Sequence, residues 1–147
     1  LSEIGITGLR MPIRNQGKCT GCGTCANTCK ENAIVTVNGR LTLDTEKCME
    51  CGMCIDSCPF QIIRGLGPYY MITVGGRRGR HPQLGRELIR VSSAEKAVEI
   101  VNRVVDWIRR NAYSGKNLTD QMDTMDFSQL QTKIIKEFGE PVADRTG

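Results

Sequence analysis

Histidine is nearly absent from this 147-residue chain, which has a single one, His81. That shortage excludes a histidine-rich metal site and any set of Cys2His2 fingers. Long apolar runs are missing as well. None approaches the roughly 20 residues a membrane helix requires, so no membrane span is expected. The first residues lack the basic and apolar regions of a secretory signal. The chain also lacks an initiator methionine, and its start at Leu1 is read as a processing site or the edge of a longer protein. The length suits one ordinary domain, or two small ones.

Cysteine is the residue in excess. All eight cysteines fall between Cys19 and Cys58. With no sign of export and with metal-ligand spacing, they are read as reduced thiolates in a cytoplasmic protein rather than as disulfides. The order is Cys19, Cys22, Cys25, Cys29 and then Cys48, Cys51, Cys54, Cys58, a C-x2-C-x2-C-x3-C pattern repeated at an offset of 29 residues. Three thiolates at such short spacing, on one turning loop, can reach three irons of a cube. The fourth cannot close back on that cube and ligates the other. The expected sets are Cys19, Cys22, Cys25 and Cys58 for one 4Fe-4S cluster, and Cys29, Cys48, Cys51 and Cys54 for the second. Structural zinc typically uses two separated C-x2-C pairs, or histidine, and has no use for the third and fourth cysteines of each motif.

Gly21, Gly23 and Gly52 stand where the backbone must turn sharply and offer N–H groups to sulfur. Between the motifs, Ala33–Val37 and Leu41–Leu43 flank Asn38-Gly39-Arg40, a hairpin signal. Single helical turns are expected over Ala26–Lys30 and Ile55–Cys58. Met49, Met53, Ile55, Phe60 and Ile62 are candidates for an apolar wall around the clusters, or for ordinary core.

Over Gly17 to Gly65 the chain resembles bacterial two-cluster ferredoxins. It departs at Cys29-Lys30, where the family has Cys-Pro; the second motif keeps Cys58-Pro59. Lys30 restores a backbone donor and adds a charge, so the two clusters are expected to differ in reduction potential.

Roughly 80 residues follow Gly65, and they are of another kind. Pro68–Val74 and Glu87–Val91 read as strands. Ser92 and Glu95 form a capping box before a helix from Ala94 to Tyr113. Its inward face is expected to carry Ala97, Val98, Val101, Val104, Val105 and Ile108. Trp107 is read as core. A second helix opens at Asp126, turns Leu130, Ile134 and Phe138 inward, and stops at Gly139. Asn117–Met125 is read as a polar connector, and Pro141–Gly147 as a loose tail.

Between Arg64 and Arg90 there are six arginines and one acid, Glu87, whereas the whole chain is only +4. Arginine forks on a glycine-rich loop suit a polycarboxylate or oxyanion. A solvated basic loop is the plain alternative. Nucleic acid fits less well, because the patch is short and has no interleaved aromatics. His81 has no placed acid–base partner and is read as structural or exposed.

Tyr70–Gly76, followed by Arg77-Arg78-Gly79-Arg80-His81-Pro82 and the capped helix, resembles the C-terminal half-domain of sirohaem sulfite and nitrite reductases. Leu1–Gly8 resembles the strand after the last cluster cysteines in that family. The resemblance implies an α+β fold in which a ferredoxin-like 2[4Fe-4S] domain is inserted in part of a reductase half-domain. The implied segments are 1–16, a first reductase strand; 17–65, the ferredoxin domain; and 66–147, the C-terminal reductase segment. Arg77, Arg78, Arg80 and His81 become candidates for binding sirohaem carboxylates, or for the interface with a missing N-terminal portion. The family's own catalytic cysteines are absent here, so no catalytic residue is assigned and sirohaem is expected only in a full-length parent.

Electron transfer as a fragment of such a sulfite or nitrite reductase, fed by an electron-donor protein, is the implied role. A self-contained ferredoxin with a partner-docking extension, and an iron–sulfur regulator that binds nucleic acid, stand as alternatives. Under all three readings the loaded chain contains about eight irons and as many acid-labile sulfides. Colorimetric iron and sulfide analysis checks this, and a count near one or two irons, or zinc in their place, contradicts it.

Overall fold

A computed structural model describes residues 3–140 of the chain. Within that range the chain divides into two units, residues 9–68 and residues 3–8 with 69–140. Strands β1 (Ile4–Arg14) and β4 (Ile63–Val74) are long enough to contribute to both.

The cysteine-bearing unit is built on the 29-residue repeat. Short helices α1 (Thr24–Thr28) and α2 (Met53–Ser57) occupy equivalent places in the two motifs. Both begin two residues earlier than the spacing suggested. The reason is a left-handed residue just before each, Gly23 (φ 78°) and Gly52 (φ 76°), which lets the chain turn directly into helical geometry. Between the motifs lies the hairpin of β2 (Ile34–Val37) and β3 (Arg40–Leu43), with Val37 opposite Arg40. Asn38 and Gly39, at φ 52° and 72°, make the two-residue turn, as an Asn-Gly pair favours. Arg40 belongs to the strand. Ile34 and Leu41 point inward and pack with Cys25, Cys54 and Ile63.

In the second unit, β4 lies between β1 and β5 (Arg86–Val91). A bulge between Ile72 and Thr73 shifts the pairing from Ile72–Ile89 to Thr73–Glu87. The bulge lets the consecutive residues Leu88 and Ile89 both be buried, which a regular period-two strand forbids. Helices α3 (Ala94–Asn111) and α5 (Phe127–Phe138) pack against β5 and against each other.

Three expectations need correction here. The cap of α3 is Ser93, whose Oγ accepts from the Lys96 amide at 3.3 Å. Ser92 lies one residue too early, and its N–H donates instead to Glu140 at 3.0 Å. The inward face of α3 contains Ile100, fully buried, while Val98 is 58% exposed. Both are β-branched and helix-compatible, so only the packing partner separates them. Val101, Trp107 and Ile108 are partly buried against the same core.

The largest difference lies at residues 117–125. This stretch is no plain connector: it holds a short helix, α4 (Leu118–Gln121), and buries Leu118, Met122 and Met125. Gln121, 1% exposed, accepts from the Tyr113 amide and donates to the carbonyls of Tyr113 and Lys116, all at 2.9–3.0 Å. Thr119 donates to the Gly75 carbonyl at 2.7 Å. The polar side chains that suggested a connector are satisfying loop backbone inside the core. The expectation for Pro141–Gly147 lies outside the described residues, as do Leu1 and Ser2.

Helix α5 is capped by Asp126, which accepts from the Gln129 amide at 3.2 Å, and ends at Gly139. Glu140 then accepts from Lys96 Nζ at 2.7 Å as well as from Ser92. The Lys96 hydrogen bond, followed by that of Ser92, holds its carboxyl below the ordinary value of 4.5. A depressed carboxylate stabilises the fold above its ordinary range and loses that contribution as the pH falls through the folded value. Glu140→Gln is therefore expected to cost about 1 kcal/mol near neutral pH. The difference should shrink below pH 4.5, and urea denaturation of both forms at several pH values measures it.

Candidate metal centre

The repeat extends to individual backbone angles. Positive φ recurs at Gly21 and Glu50, at Gly23 and Gly52, and at Asn32 and Gln61, each pair 29 residues apart. Cys29 and Cys58, which end the two short helices, share φ near −74° and ψ of 110°. The Asn32 amide donates to the Cys29 carbonyl at 3.3 Å, and the Gln61 amide to the Cys58 carbonyl at 3.1 Å. Two copies of one local structure therefore present their thiols in the same way.

Two cavities result, and each collects cysteines from both motifs. Cys19, Cys22, Cys25 and Cys58 line a narrow one together with Arg14, Leu41, Phe60, Ile62 and Ile63. Cys29, Cys48, Cys51 and Cys54 line a roomier one of about 260 Å³, together with Pro12, Lys30, Ile34, Leu43, Met49 and Met53. Met49, Met53, Phe60 and Ile62 thus stand beside the thiols. Ile55 packs in the adjoining core. All eight cysteines are free thiols. Among the described residues, no three Cys, His, Asp or Glu side chains are grouped to hold one metal ion.

The electrostatics divide the thiols by position. The third cysteine of each motif is the buried one. Burial pushes Cys25 up, and pushes Cys54 up to about 11 with help from the neighbouring thiolates of Cys48, Cys25 and Cys51. Cys48 is also raised by burial. Cys22 is lowered by the Thr24 hydroxyl, 3.5 Å from its sulfur. For Cys58, burial pushes upward, but the amides of Ile62, Phe60, Ile63 and Gln61 outweigh it and the net shift is downward. The Ala33 amide already donates to Cys29 Sγ at 3.4 Å. Buried thiols of raised pKa ionise when metal binds, so loading releases protons. The surrounding amides are placed to receive the negative sulfur that results.

Residues 18–62 match the family described as 4Fe-4S dicluster domain. This part of the chain is a two-cluster iron–sulfur domain. Its cofactors are two 4Fe-4S clusters and its chemistry is electron transfer. The chain is also 36% identical over 106 residues to coenzyme F420-dependent sulfite reductase of Methanocaldococcus jannaschii, which covers 70% of this chain and 16% of that protein. Its fold is similar to that of dissimilatory sulfite reductase I, with a TM-score of 0.55 and 16% identity, covering 98% of this chain and 39% of that one. The chain therefore spans about a sixth of the curated relative's length.

The basic loop is ordered by its own backbone. Arg77 and Gln83 exchange both amide hydrogen bonds, at 2.9 and 3.0 Å. The Arg77 side chain donates to the His81 carbonyl at 2.9 Å and pairs with Asp120 at 3.3 Å. Arg78, Arg80 and His81 are exposed on this loop. Arg86 and Arg90 are paired with Asp123 and Glu87. Half of the local positive charge is thus matched within the unit, which the linear count of arginines did not reveal.

Arg10 is a functional neighbour that the sequence reading missed. Its guanidinium spans both carboxylate oxygens of Asp56, with Nη1 at 3.2 Å from Oδ1. It also lies over Gly52, where a Cβ would come within 2.7 Å of Nε. Arg10 and Asp56 are 46 residues apart, so no local pattern could link them. Gly52→Ala meets both the left-handed backbone and this guanidinium. It is expected to lower the stability of the cysteine-bearing unit by about 1–3 kcal/mol and to release Arg10 from Asp56. Denaturation and cluster retention, compared with Gly8→Ala, where the added Cβ has open space around it, measure the effect.

Proposed function

We propose that this chain carries single electrons through its two clusters to the catalytic centre of a sirohaem-type sulfite reductase of which it is a part. The observation that carries this reading is the pair of cavities, each holding three cysteines of one motif and the fourth of the other. The buried members Cys25 and Cys54 share one apolar cluster with Ile34, Leu41 and Ile63. The proposed ligation, Cys19, Cys22, Cys25 and Cys58 for one cluster and Cys29, Cys48, Cys51 and Cys54 for the other, sets the two clusters on either side of that cluster of side chains. Electrons then pass between them with no bond made or broken in the protein.

The sulfite reductase context draws support from the identity shared with the F420-dependent enzyme over most of this chain. In this reading the cysteine-bearing segment interrupts a reductase half-domain between Gly8 and Tyr69. The remainder of the parent supplies the sirohaem and its cluster. Arg78, Arg80 and His81, exposed on their loop, are assigned to sirohaem carboxylates or to the surface of that remainder; Arg77 is engaged with Asp120. An external electron carrier feeds the chain, and the protein acts in the cytoplasm.

Paired substitutions test the crosswise ligation. Cys22→Ser with Cys58→Ser removes two ligands of one cluster and should leave the other, with about half the iron retained. Cys51→Ser with Cys58→Ser strikes both clusters and should abolish most of it. If the second pair retains one intact cluster by iron analysis and electron paramagnetic resonance, each motif closes on its own cube and the ligation stated above is wrong.

A further inference from the structure

Strand β1 supplies a wall to both cysteine cavities. Pro12 lines the one with Cys29, Cys48, Cys51 and Cys54, and Arg14 lines the one with Cys19, Cys22, Cys25 and Cys58. Residues two apart on a strand face the same way, so one face of β1 offers a neutral ring to one site and a cation to the other.

Arg14 is no ordinary surface arginine. Among the described residues, its Nη1 is the only buried side-chain nitrogen or oxygen without a protein hydrogen-bond partner. Arg14 also borders an open groove with Lys18, Phe60 and Arg64. Nη1, sealed from solvent, is not the part that faces the groove, and Arg14 also lines the cavity of Cys19, Cys22, Cys25 and Cys58. A buried guanidinium N–H left unpaired is strongly unfavourable, and the missing partner is an anion.

We propose that Arg14 donates its Nη1–H to a sulfur of the cluster held by Cys19, Cys22, Cys25 and Cys58, and thereby makes that cluster the more easily reduced of the two. The inference rests on the ligation put forward above. Reduction adds one electron to the cube, from a low-potential one-electron donor, and makes its charge more negative by one. No proton moves and no bond breaks. A guanidinium whose Nη1 is out of solvent beside the cube stabilises the reduced form more than the oxidised form, because little water screens that contact. The guanidinium beside the other cavity, Arg10 over Gly52, is partly exposed and already paired with Asp56. Lys30, the charge that distinguishes the first motif, borders that second site but is exposed and stands next to Glu31, so solvent and the carboxylate blunt its field. The difference in potential between the clusters therefore comes chiefly from Arg14, and it runs opposite to what Lys30 alone would produce.

The test is a redox titration of the cluster-loaded protein, followed by electron paramagnetic resonance, for wild type, Arg14→Gln, Arg14→Lys and Lys18→Gln. Two one-electron waves are expected in the wild type. Arg14→Gln should lower the upper wave by a factor of about ten in the reduction equilibrium, or about 59 mV, and leave the lower wave in place. Arg14→Lys, which keeps a charge but loses the fork, should lower the same wave less, by at least a factor of about two. Lys18→Gln removes an exposed cation nearby and should move neither. An upper wave unchanged in Arg14→Gln with both clusters loaded overturns the proposal. If that variant loads only one cluster, an Arg14→Lys wave identical to wild type overturns it instead. Failure of the underlying ligation shows separately, in the iron counts of the paired cysteine variants.

Discussion

Gathering eight thiols around two small cavities, with the third of each motif buried, is the constraint on which the cysteine-bearing unit depends. Sulfur that will carry negative charge has to be buried enough to exclude solvent and yet surrounded by amides that accept the charge. The repeat meets both demands with one local device used twice. A left-handed residue precedes each short helix, the third cysteine is buried in the turn that follows, and the fourth leaves the helix in extended geometry toward the other motif. Glu50 takes at the second motif the left-handed place that Gly21 takes at the first, so the backbone conformation is retained where the residue type is not. At Gly21 and Gly52 glycine also leaves room, since a Cβ would come within 2.8 Å of the Gly39 carbonyl and 2.7 Å of Arg10 Nε.

From that repeat follows the near-symmetry of the two sites, and from β1 follows its breaking. The motifs themselves would give two similar environments. The strand that runs past both contributes Pro12 to one and Arg14 to the other, and Arg10, over Gly52, holds the α2 turn through Asp56. A single strand thus fixes one motif mechanically and sets the electrostatics of the other. The two clusters also alter the charge of the chain. Each oxidised cube with its thiolates carries about −2, so a formal +4 becomes nearly neutral and the remaining basicity is local. Much of it lies on the loop after Gly76, where Arg77 is already matched by Asp120.

Much was legible in the sequence because it depends on short-range spacing. The eight ligand candidates, their division between two sites, the Asn38-Gly39 turn, and the Asp126 and Gly139 boundaries of α5 all depend on residues within a few positions of one another. Both helical turns and the main strands could be read for the same reason, with ends displaced by a few residues. The misreadings share a different cause. Ser92 and Ser93 are equivalent caps on paper, and Glu140, 48 residues away, takes the Ser92 amide. Val98 and Ile100 are equally apolar, and only the neighbours of α3 decide which is buried. Gln121 and Thr119 looked like connector residues because a sequence does not show the loop carbonyls they satisfy.

By itself, then, the sequence determined which metal chemistry this protein carries, since two C-x2-C-x2-C-x3-C runs leave little other use for eight thiols. It also led to the expectation that the fourth cysteines cross between motifs, and the two cavities group the cysteines in that way. Tertiary structure decided what surrounds each site. Whether a cation is buried or solvated depends on which strand face covers it, and Arg14 and Lys30 carry the same formal charge in the sequence. Arg14 has one guanidinium nitrogen out of solvent and lines a thiol cavity, whereas Lys30 is exposed. That difference in screening, which no linear pattern encodes, separates two otherwise equivalent halves.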